Sequence, residues 1–166
     1  MTRKRRKNRS EPSVFSLLFK HLKHRPPADL DKRIHSLHRE VFAKTDCLSC
    51  ANCCKTTSPL WLDKDVDRVA AHLRMKSVDF EKSYLRTDED NVWVLQSLPC
   101  PFLDAQNACS IYDVRPKACK EYPHTERGKQ AQILAITEIN ANICPAVSNI
   151  MTRLESQLGI LPVGKK

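Results

Sequence analysis

Residues 47–54 read CLSCANCC, which places four of the chain's eight cysteines within eight positions. Two intervening residues let the thiols of a C-x2-C unit turn toward one point, about 2.3 Å from a zinc ion. Here two such units run together as Cys47-x2-Cys50-x2-Cys53, and Cys54 follows directly. Adjacent thiols do not easily serve a single ion, so the run is suited to feed two neighbouring centres. Helical geometry, at about 100° per residue, would put Cys47, Cys50 and Cys54 on one face, with Cys53 about 60° beyond Cys50. Glycine occurs only at positions 128, 159 and 164, none near a cysteine, so the run is expected to need no positive φ.

The remaining thiols follow singly as Cys100, Cys109, Cys119 and Cys144. Cys100 and Cys109 bracket PFLDAQNA and would meet at one end of a hairpin. Cys119 follows on a short RPKAC helix, and Cys144 precedes Pro145 at a helix start, where the dipole favours a thiolate. Eight thiolates would make two four-cysteine zinc sites, or one iron-sulfur cluster with thiols to spare. The C-x2-C-x2-C run with a distant C-P also echoes the bacterial ferredoxin pattern. The competing readings are a disulfide framework, including a vicinal Cys53-Cys54 bond, and free redox or catalytic thiols.

Four thiolates on one divalent ion leave a site negative, and Lys55, Arg115, Lys117 and Lys120 stand beside cysteines as candidate counter-charges. His124, in EYPH after Cys119, is a candidate extra ligand. His35 and His38, three apart on a helix, have no accompanying acid or cysteine and read as surface residues. No Ser/His/Asp order or phosphate-binding glycine loop supports metal-free catalysis.

The net charge of +9 is confined to one end: residues 1–25 carry nine lysines and arginines against Glu11, a net +8 that leaves only +1 for the rest. No run approaches the roughly 20 apolar residues that span a bilayer. VFSLLF is short for a secretory signal core and lacks a small-residue cleavage site. A cytoplasmic chain is therefore expected, and in a reducing compartment clustered cysteines favour metal over disulfides.

Residues 1–28 read as a basic arm, partly disordered or forming an amphipathic helix through Val14, Phe15, Leu18, Phe19 and Leu22. Such a helix would either lie on an anionic membrane or nucleic acid, with residues 1–25 as the contact, or pack on its own domain. Residues 29–160 form the cysteine-cluster domain, and 161–166 a tail. Within the domain, helices are expected at Leu30 to Phe42, over DKDVDRVAAHL with Asp63 as N-cap, from Ser77 to Leu85, at RPKAC and from Pro145 to Leu158. NVWVLQ reads as a strand and PCPFLDAQNACSIYD as a hairpin. The expected class is mainly α with a small antiparallel β-hairpin element (α+β), an irregular, metal-stapled single domain.

CLSCANCC, PCPFL, C-SIYDVRP-KAC with YP shortly after, and Cys144-Pro145 together resemble the bacterial CxxCxxCC cysteine-cluster family, across roughly residues 44–150. The resemblance implies chelation of zinc or iron through Cys47, Cys50, Cys53, Cys54, Cys100, Cys109, Cys119 and Cys144. A related cysteine-cluster domain occurs in flagellin lysine N-methylases, which adds a redox or protein-modifying, lysine methylase-like activity as an alternative; no methyl-donor pocket is legible here. The basic arm lies outside the family pattern and leaves a third reading, an interaction module for nucleic acid or a membrane surface.

Overall fold

A computed structural model describes residues 14–160. The protein is mostly helical, a single domain with one small antiparallel sheet, as the pattern predicts. In chain order the elements are α1 (Ser16–His24), α2 (Leu30–Phe42), α3 (Cys47–Cys50), α4 (Asn52–Thr56), α5 (Asp63–His72), α6 (Ser77–Tyr84), β1 (Leu85–Thr87), β2 (Trp93–Leu95), α7 (Lys117–Glu121), α8 (Leu134–Ile143) and α9 (Pro145–Gln157). Among the described residues no helix is long and apolar enough to cross a membrane.

The apolar side chains form two clusters. In the first, Phe15 at the N-cap of α1 joins Leu18, Phe19 and Leu22 of α1, and α2 contributes Leu30, Ile34, Leu37 and Val41. These pack against Leu134 and Ala141 of α8 and Ala146, Val147, Ile150, Met151 and Leu154 of α9. The second cluster gathers Val66, Val69 and Ala70 of α5 around Trp61, Phe80, Leu85, Leu95, Phe102 and Ile111. Phe80 lies in its middle, its ring 5.3 Å from that of Trp61 and 5.0 Å from that of Tyr84. The segment from α3 to α4 links the two clusters along the chain, and the cysteines lie where they meet.

The helix expected in the basic arm packs on its own domain. Leu18, Phe19 and Leu22 are completely buried, and Lys23 reaches Glu138 of α8 at 2.9 Å. The apolar face that would enter a membrane is occupied, so the folded body begins ahead of the expected boundary at residue 29. The basic residues at positions 3–9 lie outside the described residues, as does the tail from 161 to 166.

Three local expectations change. The hairpin expected over residues 99–113 has a single antiparallel bridge, Leu103 with Cys109. Asp104 explains why it stays a loop: its carboxylate accepts the amides of Gln106 and Ala108, at 2.9 and 2.7 Å, and so uses donors a ladder would need. The two-stranded sheet forms instead between β1 and β2, pairing Leu85 with Leu95 and Thr87 with Trp93. Leu85 therefore starts a strand rather than ending a helix. At the start of α5, Leu62 is the N-cap residue, and Asp65 rather than Asp63 supplies the carboxylate, 3.2 Å from the Leu62 amide.

Replacing Leu22 by Ala should lower unfolding free energy by about 2–5 kcal/mol, the range for emptying a closed core position. Val14→Ala, at an 84% exposed residue, should stay within about 0.5 kcal/mol of the parent. Urea unfolding measures both, and equal effects would mean that α1 does not belong to the core.

Candidate metal centre

The run CLSCANCC is not one helix. α3 is capped by Asp46, whose carboxylate accepts the Leu48 amide at 2.9 Å, and it stops at Ala51 with φ 48° and ψ 20°. α4 then starts afresh from Ala51, so the expectation of a run without positive φ is overturned. The left-handed conformation costs a non-glycine residue about 1–2 kcal/mol, and several bonds hold it. The Ala51 amide donates to the Cys47 carbonyl at 2.8 Å, and the Lys55 amide donates to the Ala51 carbonyl at 3.1 Å. Asn52 Nδ2 donates to the Ile143 carbonyl at 2.6 Å, fixing the second turn against the end of α8. Ala51 is only 6% exposed, which leaves room for a methyl and little more.

The break resets the helical phase, so Cys54 leaves the face of Cys47 and Cys50. Cys47 has Cys144, Cys53, Cys50 and the Asp46 carboxylate as its titratable neighbours, and Cys144 has Cys53 and Cys50. Cys54 faces Cys100, Cys119 and Cys109. Cys53 stands between the two sets, its sulfur 3.9 Å from that of Cys54. All eight predicted residues are thus brought to one region by five separate stretches of chain. All eight thiols are free, Cys47 exposed and the others half-buried. Among the described residues no three His, Cys, Asp or Glu side chains are already arranged to hold one ion; the sulfurs are neighbours rather than a finished cage.

Backbone bonds fix the segments that carry these thiols. The Cys100 amide donates to the Cys54 carbonyl at 2.9 Å, and Asn107 Nδ2 donates to the Leu48 carbonyl at 2.8 Å. Cys119 is placed by buried Asp65, whose Oδ1 accepts Arg68 at 2.5 Å and the Lys117 amide at 3.1 Å. Arg68 also donates to the Val114 and Arg115 carbonyls, at 3.1 and 2.9 Å. The DVRPK turn is thereby clamped onto α5 from both ends.

Burial, followed by mutual repulsion, raises the thiols of Cys47, Cys100 and Cys144 above their ordinary range. Cys119 is pushed up to about 12 by burial and then by Cys100, Cys109 and Cys53, with Arg115 opposing. Cys53 is raised because its S–H is donated to Cys54, which is lowered by the same contact. Amides oppose burial where a thiolate is expected: those of Ala146 and Val147, at the start of α9, favour ionised Cys144, and those of Phe102 and Leu103 favour Cys100. The helix-start reading of Cys144 thus has its donors.

Of the predicted counter-charges, Arg115 lies close enough to favour the Cys119 thiolate while its guanidinium stacks 3.7 Å over Tyr112. Lys55 Nζ donates to the Cys50 carbonyl at 3.2 Å, and Lys117 pairs with Glu121 at 3.6 Å. His124 is not brought to the thiols. It lines a second cleft that contains no cysteine, its charged neighbours are Glu121 and Arg127, and burial lowers its pKa. His38 is a core residue rather than a surface one, with Nδ1 2.7 Å from the Thr125 hydroxyl and its ring stacked on Phe42 at 4.3 Å.

A cleft of about 860 Å³ opens beside Cys47, Cys50, Cys53 and Cys144, and none of the other four cysteines lines it. Tyr122 lines it too, and Glu40 pairs with Arg153 along its wall. Sequence reasoning noted the Tyr-Pro pair but gave Tyr122 no role. Its hydroxyl is buried with no hydrogen-bond partner. Leaving such a donor unmatched costs about 1–3 kcal/mol. Burial and the nearby Cys144, Cys53, Cys50 and Cys54 raise its pKa, so it is a neutral donor at ordinary pH.

A family model described as "Putative zinc- or iron-chelating domain" matches residues 46–145, which include all eight cysteines. Comparison with curated proteins and with solved structures finds no match.

Two outcomes follow from this geometry. Ala51→Gly should leave stability within about 1 kcal/mol of the parent, relief of the left-handed strain offsetting the greater freedom of the unfolded chain. Ala51→Val puts a branched side chain in a buried left-handed position and should lower the urea midpoint clearly; a harmless valine would refute the Ala51 conformation. The second outcome concerns pH in the presence of a chelator. Unfolded thiols titrate near about 8.5, whereas Cys119 in the folded chain holds its proton to about 12. Above the lower value the unfolded chain binds fewer protons than the folded one, so stability is fully present below it and declines as pH rises. Cys119→Ala should make that decline shallower between about pH 8 and 10, and an unchanged slope would count against the buried thiol.

Proposed function

Because the chain belongs to the CxxCxxCC family of cysteine-cluster domains, we propose that it chelates two metal ions, zinc or iron, through two four-cysteine centres. Cys47, Cys50, Cys53 and Cys144 form one; Cys54, Cys100, Cys109 and Cys119 form the other. The observation that carries this reading is the convergence of eight free thiols from five stretches of chain on the junction of two apolar cores. Structural cysteines in a core sit singly among aliphatic groups, whereas these raise one another's pKa, an arrangement with little purpose except to share cations.

The donor set fits the ions. Thiolates are soft ligands suited to zinc and to iron-sulfur chemistry, and amides already point at Cys144 and Cys100. Cys53 is assigned with Cys47 and Cys50 because these three line the cleft together with Cys144. The ion's contribution is a cross-link, and structural zinc contributes about 10–16 kcal/mol in finger peptides. The protein's share is to gather the sulfurs in one region, to offer amide donors and to half-bury Cys119. In the first centre Cys144 ties α9 to the CLSCANCC segment; in the second Cys100, Cys109 and Cys119 tie the Asp104 loop and α7 to it.

Protein purified without oxygen should carry about two equivalents of zinc or iron per chain, four thiolates to each ion. Cys119→Ser should lose one equivalent, Cys144→Ser the other, and the double variant both. Elemental analysis with thiol titration checks this, and brown colour with visible absorption separates an iron-sulfur cluster from zinc. Less than one equivalent alongside eight titratable thiols would defeat the reading.

A further inference from the structure

Tyr122 follows α7 by one residue, and its ring lines the cleft beside Cys47, Cys50, Cys53 and Cys144. Its hydroxyl has no accessible surface to offer water and no protein acceptor. The exposed Tyr112, by contrast, is 60% accessible and beside Arg115. A buried donor without an acceptor in a folded protein points to an acceptor that arrives later.

The thiols themselves can become that acceptor. A protonated S–H accepts hydrogen bonds weakly, whereas a metal-bound thiolate accepts them well and needs them, because four thiolates around a divalent ion leave excess negative charge. The groups nearest Tyr122 in electrostatic terms are Cys144, Cys53, Cys50 and Cys54, and three of these belong to the centre that opens on the cleft. At the other centre Arg115 already supplies positive charge beside Cys119.

We propose that Tyr122 is a positioning residue of the Cys47, Cys50, Cys53 and Cys144 centre, its hydroxyl donating a hydrogen bond to a thiolate of that centre once an ion is bound. This rests on the two-centre reading. The phenol has no such work in the metal-free protein, so removing its oxygen acts in opposite directions on the two states.

The test is Tyr122→Phe in the full chain, with Tyr112→Phe as control. With zinc as the probe ion and a chromophoric chelator as competitor, Tyr122→Phe should weaken one of the two zinc sites by about 10-fold or more, in line with the cost of losing an outer-shell partner, and leave the other unchanged. In chelator, its urea midpoint should equal or exceed that of the parent, because an unmatched buried hydroxyl has been removed. Tyr112→Phe should alter neither zinc site. Equal zinc affinity at both sites in parent and Tyr122→Phe would overturn the role of Tyr122 while leaving the two centres standing. A parallel loss of metal-free stability and zinc affinity would make Tyr122 a packing residue and also overturn it. A parent that takes up neither zinc nor iron would overturn the two-centre reading, and this proposal with it.

Discussion

The change of backbone hand at Ala51 governs where every other cysteine has to be. A continuous helix through residues 47–54 would present Cys47, Cys50 and Cys54 as one stripe, and a single set of partners would suffice. With the phase reset between α3 and α4, the two halves of an eight-residue segment look different ways. Partners then come from two sides: Cys144 from the junction of α8 and α9, and Cys100 and Cys109 from the loop beyond β2 together with Cys119 of α7. The strain at Ala51 is modest and local, and a carbonyl-to-amide bond on each side of it contains that strain.

The two apolar clusters are each small, one built on four helices and the other on α5, α6 and the short sheet. The sulfur region lies between them, and Cys144 packs on one while Cys100 and Cys109 pack on the other. Thiols suit such a seam. They are compact enough to be half-buried without a partner when protonated, and strong ligands when ionised, so one set of side chains can serve a loosely joined and a firmly joined protein. Aliphatic residues there would hold the lobes only by area, and carboxylates would repel one another at any ordinary pH.

Much of this was legible in the chain. Helical period alone located α2, α5 and α9, the β-branched and aromatic run located β2, and the spacing of the thiols named the residues that converge. What escaped has physical causes. The face of α8 that turns inward carries Thr137 and Asn140, so no apolar stripe announced it. Asn140 is buried because its side chain donates to the Pro123 carbonyl at 3.1 Å, a partner with no local trace in the sequence. The loop at 100–110 has the residues of a hairpin, but one aspartate takes the amides that pairing would use. Ala51 defeated the glycine argument because packing and hydrogen bonding outweighed a small local preference. Tyr122 was beyond reach for a different reason: an unmatched hydroxyl is defined only by everything around it.

Among the eight thiols Cys47 alone is exposed, at the very start of α3. Ligand exchange at a crowded metal site proceeds fastest where an incoming nucleophile finds a bond it can approach without first unfolding its surroundings. An ion held as proposed would exchange with other chelators most readily at Cys47, the thiol an incoming ligand reaches first. The same edge is the one alkylating reagents and peroxides reach first, and the raised pKa of the Cys47 thiol keeps it protonated and slows their attack there.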